Sequence, residues 1–161
     1  MKLLILNGPN LNLLGSREPA IYGQASYDDL CKLIYGHAAA IGCEAKVFQS
    51  NHEGALIDAI QAAQTGYSGI VINPGAYAHY SYAIYDALRA VDVPTVEVHL
   101  TDITAREPFR AVSVTAAACV KTICGHGMQG YVEAMDYLRA HAPDRDREHA
   151  PHAGCMGASI V

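Results

Sequence analysis

The sequence predicts an α/β fold in which helices cover both faces of a five-stranded parallel sheet. Short apolar runs alternate along the chain with longer segments of helical periodicity, and this alternation implies right-handed crossovers between parallel strands. Hydrophobic residues make up 51% of the 161 residues and charged residues 17%, which is typical of a compact globular protein. We therefore expect a flavodoxin-like three-layer sandwich with strand order 2-1-3-4-5.

The first two strands and the first two helices are predicted from apolar runs and from helix-capping residues. Ser26 and Asp29 resemble an N-cap and its third-position acid, and Gly42 provides a stop for the same helix. The second helix carries its apolar residues on one face. The predicted bounds are residues 2–7 and 44–49 for the strands and residues 26–41 and 53–64 for the helices.

The second half of the chain contains three more strands and two more helices. Lys121 lies within the fifth strand and suggests that this strand has an edge position or an exposed end. The third helix has a predicted buried stripe formed by Ala83, Ile84, Ala87, Leu88 and Val91. The predicted bounds are 70–73, 95–99 and 118–124 for the strands and 80–91 and 128–140 for the helices, with a loop or short helix over 101–109.

Composition limits the classes of function. The net charge of −5 argues against a nucleic-acid surface, and no apolar run approaches the roughly 18 residues of a membrane span. The five cysteines form no CxxC motif, and no leader is evident, so a cytoplasmic protein with reduced thiols is expected. We expect one catalytic domain at residues 1–143 and a charged, His-rich, mobile tail at residues 144–161.

Two groupings of cysteine and histidine have weak metal-like spacing. A zinc site usually needs four well-placed ligands, and neither grouping provides them. We therefore expect no metal site. The groupings are Cys119, Cys124 and His126, and His149, His152 and Cys155.

The loop NGPNLNLLGSREPAIYG, at residues 7–23, follows the first strand and carries Asn10, Arg17 and Tyr22. Ligands of open α/β sheets bind at this end of the strands. A phenol titrates near pH ~10, so Tyr22 can act as a base at neutral pH only if a cation such as Arg17 favours the phenolate. The alternative is a surface loop without a chemical role.

Polar residues also follow the other central strands. The QSNHEG segment at residues 49–54 ends strand two, and strand three leads to Asn73 and His79. Glu97 and His99 share one face of strand four, and this spacing also suits a buried hydrogen-bonded pair that only orients the strand end. His52 could cap the second helix. A cleft of this composition suits a polyhydroxylated anion, and neither GxGxxG nor a P-loop is present.

Five motifs, in order, resemble those of the type II 3-dehydroquinate dehydratases. They are NGPNLNLLGSREPAIYG, QSNHEG, INPGAYAHYSYAIYDAL, EVHLTDITAREPFR and GHGMQGY, and the resemblance extends from residue 1 to about residue 141. It implies an enzyme that removes water from 3-dehydroquinate to give 3-dehydroshikimate, in the shikimate pathway or in quinate breakdown. It also implies a reaction with no cofactor, no metal and no covalent imine.

The resemblance assigns roles in an anti elimination through an enolate. The matching base is Tyr22, with Arg17 lowering its pKa. Asn10 matches the residue that holds a water against the enolate oxygen. His99 matches the general acid that protonates the departing hydroxyl, and Glu97 is its electrostatic partner.

Substrate binding and assembly are implied in the same way. The resemblance gives the substrate hydroxyls to Asn73, His79 and Arg110, and the carboxylate to Leu100 and Thr101. It also implies a homododecamer of four trimers, in which the third helix lies near the trimer interface and Asp86 reaches towards a neighbouring active site. That helix carries the less usual residues Tyr80, Tyr82 and Tyr85.

Two other hypotheses about the function remain open. One is a non-catalytic flavodoxin-like module that holds a flavin or a metabolite and docks to a partner. The other is an enzyme of the same kind that acts on a different cyclic polyol acid.

Overall fold

The computed structural model of the chain describes residues 1–16 and 25–143. Over these residues it confirms the predicted fold class, because five parallel strands form one sheet of order β2-β1-β3-β4-β5. Within this part of the chain, no helix has the length and apolar character needed to cross a membrane. The strands are β1 (Lys2–Asn7), β2 (Glu44–Gln49), β3 (Gly69–Asn73), β4 (Thr95–His99) and β5 (Lys121–Cys124).

The first helix begins as the capping residues predict. Ser26 Oγ accepts a hydrogen bond from the Asp29 backbone N–H, and the Asp29 carboxylate accepts one from the Ser26 backbone N–H. Gly42 follows the helix at φ 68°, a left-handed conformation that glycine adopts without a steric penalty. The helices are α1 (Tyr27–Ala40), α2 (Glu53–Ala62), α3 (Tyr82–Ala90) and α4 (Gln129–His141).

The sheet is packed on both faces. Leu3 and Ile5 of β1 pack in the hydrophobic cluster that α1 and α4 complete, whereas Leu4 and Leu6 pack in the cluster that α2 and α3 complete. This alternation follows from the two-residue period of a strand, which turns successive side chains to opposite faces. With both faces covered, the cleft for a ligand is left at the carboxyl ends of the strands.

Most helix ends differ from the predicted bounds by one or two residues, and two larger details also differ. Ala83 is exposed rather than part of the buried stripe, because it lies beside the helix face that Ile84, Ala87 and Leu88 form at i, i+3 and i+4. The fifth strand begins at Lys121 rather than at residue 118, because Thr115–Ala118 forms a short 3-10 helix with Thr115 fully buried. The predicted edge position of this strand is confirmed.

Candidate active site

A cleft opens at the carboxyl ends of β1, β3 and β4, and its lining mixes polar and apolar side chains. The strand order explains the position, because β1 and β3 are neighbours at the switch point of the sheet. Of the residues that the sequence singles out for a role in the site, seven line this cleft. They are Asn10, Asn73, His79, His99, Leu100, Thr101 and Arg110.

The floor of the cleft is formed where the turns after β1 and β3 touch. The Gly8 backbone N–H donates to the Asn73 carbonyl at 2.8 Å. A Cβ on Gly8 would lie 2.3 Å from the carbonyl oxygen of Pro74, so only glycine fits at this contact. Gly75 has φ +60° and packs against Pro9. The two turns therefore hold each other in place.

Asn10 reaches the cleft from an unusual backbone conformation. Its φ of 66° makes it the one non-glycine residue with positive φ in the described part of the chain. The Asn10 backbone N–H donates to Asn51 Oδ1 at 2.9 Å, and Gln49 Nε2 donates to the same oxygen at 3.0 Å. Gln49 Nε2 also donates to the Gly8 carbonyl at 3.2 Å. The end of β2 thus positions the loop after β1.

Glu97 and His99 form the buried pair that their spacing suggests. Glu97 is fully buried and His99 is 5% exposed, and His99 Nε2 lies 2.6 Å from Glu97 Oε1. With the carboxylate ionised, Nε2 is the nitrogen that donates in this bond. The pairing fixes the orientation of the ring and leaves Nδ1 for a ligand in the cleft.

The ring of His79 is held through Nδ1, whereas the ring of His99 is held through Nε2. Its Nδ1 lies 2.8 Å from the Val112 carbonyl, which can only accept, so Nδ1 carries a proton and Nε2 remains for a ligand. The His79 ring stacks on the His99 ring, with centroids 6.4 Å apart and planes 17° apart. The two imidazoles therefore form one wall of the cleft.

Arginines supply positive charge at the rim. Arg110 Nε donates to Glu107 Oε2 at 2.7 Å, and its guanidinium lies over the Phe109 ring. Hydrogen bonds from its own backbone and from Arg110 hold the pKa of Glu107 below its usual range. Arg106 lines the same cleft, although the sequence analysis did not select it. Its presence in the TAREPFR motif beside Arg110 was the available signal.

Two glycines that precede α4 hold the end of β4 and the segment after it. The Gly125 backbone N–H donates to the His99 carbonyl at 3.1 Å, and the Gly127 N–H donates to the Leu100 carbonyl at 2.9 Å. Both glycines have positive φ. The turn before α4 thereby holds the end of β4, with Leu100 and Thr101 at the cleft.

Several predicted residues lie elsewhere. Asp86 is exposed on α3 and does not line the cleft of its own chain. Arg17 and Tyr22, and the predicted tail at residues 144–161, lie outside the described residues. His52 is the N-cap residue of α2, as suggested, but its side chain makes no capping hydrogen bond. Its backbone N–H donates to Ser50 Oγ at 3.0 Å.

The first of the metal-like groupings is dispersed. Cys119 Sγ donates to the Thr115 carbonyl at 3.5 Å, whereas His126 Nδ1 lies 2.9 Å from Glu133. Across residues 1–16 and 25–143, no three His, Cys, Asp or Glu side chains are grouped to hold a metal ion.

Sequence reasoning also missed two hydroxyl groups behind the cleft. Ser113 Oγ and Thr115 Oγ1 both donate to the Glu97 carboxylate, at 2.5 and 2.6 Å. Neither residue stands in a strand or in a recognisable motif, and contacts across 16 and 18 residues have no local pattern that would reveal them.

Comparisons with known proteins agree on one family. The family described as "Dehydroquinase class II" matches residues 1–139. A Clostridium acetobutylicum protein named 3-dehydroquinate dehydratase is 54% identical over 139 residues, which cover 86% of this chain and 96% of that protein.

Solved structures show the same likeness. The structure of a type II dehydroquinase from Butyrivibrio crossotus superposes with a TM-score of 0.85 at 51% identity, covering 86% of this chain and 97% of that one. A type II dehydroquinase from Propionibacterium acnes gives a TM-score of 0.84 at 41% identity, with 86% and 96% covered. Family match, sequence identity and shared fold together show that the chain belongs to the class II dehydroquinases.

Proposed function

We propose that this chain is a 3-dehydroquinate dehydratase, a carbon-oxygen lyase that converts 3-dehydroquinate to 3-dehydroshikimate by anti elimination without a metal or cofactor. The observation that carries the proposal is the buried Glu97–His99 pair at a polar, arginine-rimmed cleft in a chain of this family. The pair supplies a fixed proton donor, and the arginines favour an anionic substrate.

The proposed reaction begins with Tyr22, which takes a proton from the carbon next to the ketone, while Arg17 favours the phenolate. The described chain on either side of these residues supports their access to the cleft. Leu14 lines the cleft, and a Cβ on Gly15 would lie 2.9 Å from Ser26 Cα. The two ends of the intervening segment therefore meet beside the cleft.

The electrons of the broken C–H bond pass to the ketone oxygen, and an enolate forms. Asn10 holds a water against this oxygen, and stabilising the developing charge is a large part of the rate enhancement. The enolate then expels the hydroxyl group as the ring double bond forms. The imidazolium form of His99, which keeps its Nε2–H on Glu97, gives its Nδ1 proton to the leaving hydroxyl, so water departs. General acid and base groups each contribute ~10²–10⁴-fold.

Substrate contacts follow from the cleft lining. Asn73, His79 and Arg110 bind the ring hydroxyls, with His79 Nε2 accepting because its Nδ1 donates to a carbonyl. The carboxylate binds at the backbone N–H groups of Leu100 and Thr101 and at the threonine hydroxyl.

Assembly forms a further part of the proposal. We propose a homododecamer of four trimers in which Asp86 reaches a neighbouring active site. In support, Tyr80 and Tyr82 are 59% and 69% exposed near the beginning of α3, and amphipathic aromatic residues suit contact surfaces. We further propose a cytoplasmic enzyme with one catalytic domain at residues 1–143, acting in aromatic biosynthesis through shikimate or in quinate breakdown.

The test is an absorbance assay for the conjugated enone formed from 3-dehydroquinate, run with EDTA and separately with borohydride. Turnover that survives both additions supports a metal-free reaction without an imine. Loss of activity with borohydride would contradict the enolate route. Absence of turnover in folded protein would instead favour a binding module or a different cyclic polyol acid as substrate.

A further inference from the structure

The Glu97 carboxylate is held by three side chains that donate to it. His99 Nε2 lies 2.6 Å and Ser113 Oγ 2.5 Å from Oε1, and Thr115 Oγ1 lies 2.6 Å from Oε2. Glu97 and Thr115 are fully buried. A buried carboxylate keeps its charge only when hydrogen bonds or opposite charges replace its lost water, and here two hydroxyls and His99 provide that replacement.

Among the described residues, the charge of Glu97 also acts on the thiols of Cys119 and Cys124. Burial raises the pKa of both thiols, and the charge of Glu97 raises it further. Both are therefore neutral at pH 7 and do not balance the carboxylate. His99, with His79 stacked beyond it, is the remaining titratable neighbour. The state of the carboxylate thus depends on its hydroxyl donors and on His99.

The hydroxyl groups of Ser113 and Thr115 differ in their hydrogen-bond partners. Ser113 Oγ also lies 3.2 Å from Thr115 Oγ1 and 3.5 Å from the Ala78 carbonyl, so its single proton has more than one possible acceptor. Thr115 is the donor to Oε2 among the described residues. Fixing Oε2 sets the plane of the carboxylate, and Oε1 is thereby turned to His99 Nε2.

We propose that Thr115, supported by Ser113, is a positioning residue for the reaction: it keeps Glu97 ionised and oriented, so that His99 presents a protonated Nδ1 to the substrate. This inference rests on the proposed function for the role of His99 as the acid. Thr115 itself does not line the cleft. Its effect on turnover is transmitted through Glu97.

The matched variants are Thr115→Val, which keeps the shape and removes the donor, and Thr115→Ser, which keeps the hydroxyl. Thr115→Val should lower kcat on the order of ten-fold, the range for a lost hydrogen bond to a charged group, with KM little changed. The pH profile of its kcat should differ from that of the wild type, because the carboxylate that orients His99 has lost the donor to its Oε2. Thr115→Ser should remain close to the wild type.

A double-mutant cycle separates positioning from general damage. In a Glu97→Gln background, Thr115→Val should cost little further activity, because the carboxylate it serves is gone. An equal loss of kcat in both backgrounds would overturn the proposal, as would a Thr115→Val variant with the kcat and pH profile of Thr115→Ser. Should Thr115→Val fail to fold, Ser113→Ala takes its place in the same cycle.

A readout without substrate distinguishes this proposal from the proposed function. The ¹⁵N shifts of the His99 ring report which nitrogen is protonated as pH changes. Wild type and Thr115→Ser should show the same pattern of ring-nitrogen shifts, and Thr115→Val should show a different one. Identical titrations would overturn the positioning role. If the wild type does not convert 3-dehydroquinate, the proposed function fails, and these spectra still decide what Thr115 does to His99.

Discussion

The Tyr131 hydroxyl donates a 2.6 Å hydrogen bond to Asn7 Oδ1 and so joins the last helix to the first strand. Tyr131 is fully buried, and Asn7 Nδ2 donates in turn to the Tyr27 hydroxyl at 3.4 Å. Asn7 is the register partner of Asn73, which lines the cleft. A buried polar network therefore lies directly beneath the candidate active site.

This network predicts a loss of stability at alkaline pH. Burial raises the pKa of Tyr27 to about 12 and raises the pKa of Tyr131 well above its usual range. The unfolded chain releases these protons near pH ~10, whereas the folded protein retains them, so stability present below pH ~10 falls as pH rises above it. Urea unfolding at pH 8 and pH 10.5 measures the loss.

The Tyr131→Phe variant tests which group is responsible. It should be less stable at pH 8, by about 1 kcal/mol or more, because the buried Asn7 oxygen loses its donor. Its further loss between pH 8 and pH 10.5 should be smaller than that of the wild type. The same further loss in both proteins would show that Tyr131 does not contribute to the alkaline transition.

Gly8→Ala should destabilise the floor of the cleft. The new methyl carbon would lie 2.3 Å from the Pro74 carbonyl oxygen. Neither atom can rotate away from the backbone, so the turns after β1 and β3 must separate. We expect a cost of about 1–3 kcal/mol together with weaker substrate binding. Thermal unfolding and KM measure the two effects.

Gly36→Ala is the control for that variant. Gly36 lies within α1, and a Cβ there meets nothing within 4 Å. Alanine should therefore stabilise the helix, by roughly 0.5–1 kcal/mol. Equal changes in unfolding temperature for the two variants would refute the close contact between Gly8 and Pro74.

Asn51 should act on turnover through Asn10. Asn51→Leu removes the oxygen that accepts from the Asn10 backbone N–H, whereas Asn51→Asp keeps an acceptor at that place. Since Asn10 serves the enolate in the proposed reaction, Asn51→Leu should lower kcat about three- to ten-fold, the range of one hydrogen bond. Asn51→Asp should largely restore it. Steady-state kinetics that fail to separate the two variants would remove this role.

Tyr22→Phe should abolish proton abstraction and leave substrate binding largely intact. The expected loss in kcat is about 10²–10⁴-fold, the contribution of a general base. Tyr35→Phe is the control, because Tyr35 lies on α1 with 49% of its surface exposed and should not affect turnover. Near-normal turnover of Tyr22→Phe, with binding measured by calorimetry, would exclude Tyr22 as the base.

The amino-acid sequence was sufficient to predict the strands and helices, their order and most of the cleft. Periodicity and capping are local properties, so the helix after Ser26 and the strand that ends at His99 could be read without a structure. Parallel strands bring their carboxyl ends to one edge, and this rule was enough to place Asn73, His79 and His99 together. The family resemblance added roles that neither periodicity nor composition contains.

The groups that support the cleft became evident only from the three-dimensional packing. The hydroxyl of Thr115 reaches Glu97 because the residues before β5 turn inwards as a short 3-10 helix, which a strand pattern did not predict. Asn51 meets the backbone of Asn10 across 41 residues for a similar reason. Such contacts depend on how separate elements pack, and a local sequence pattern carries no information about a partner that folding alone brings near.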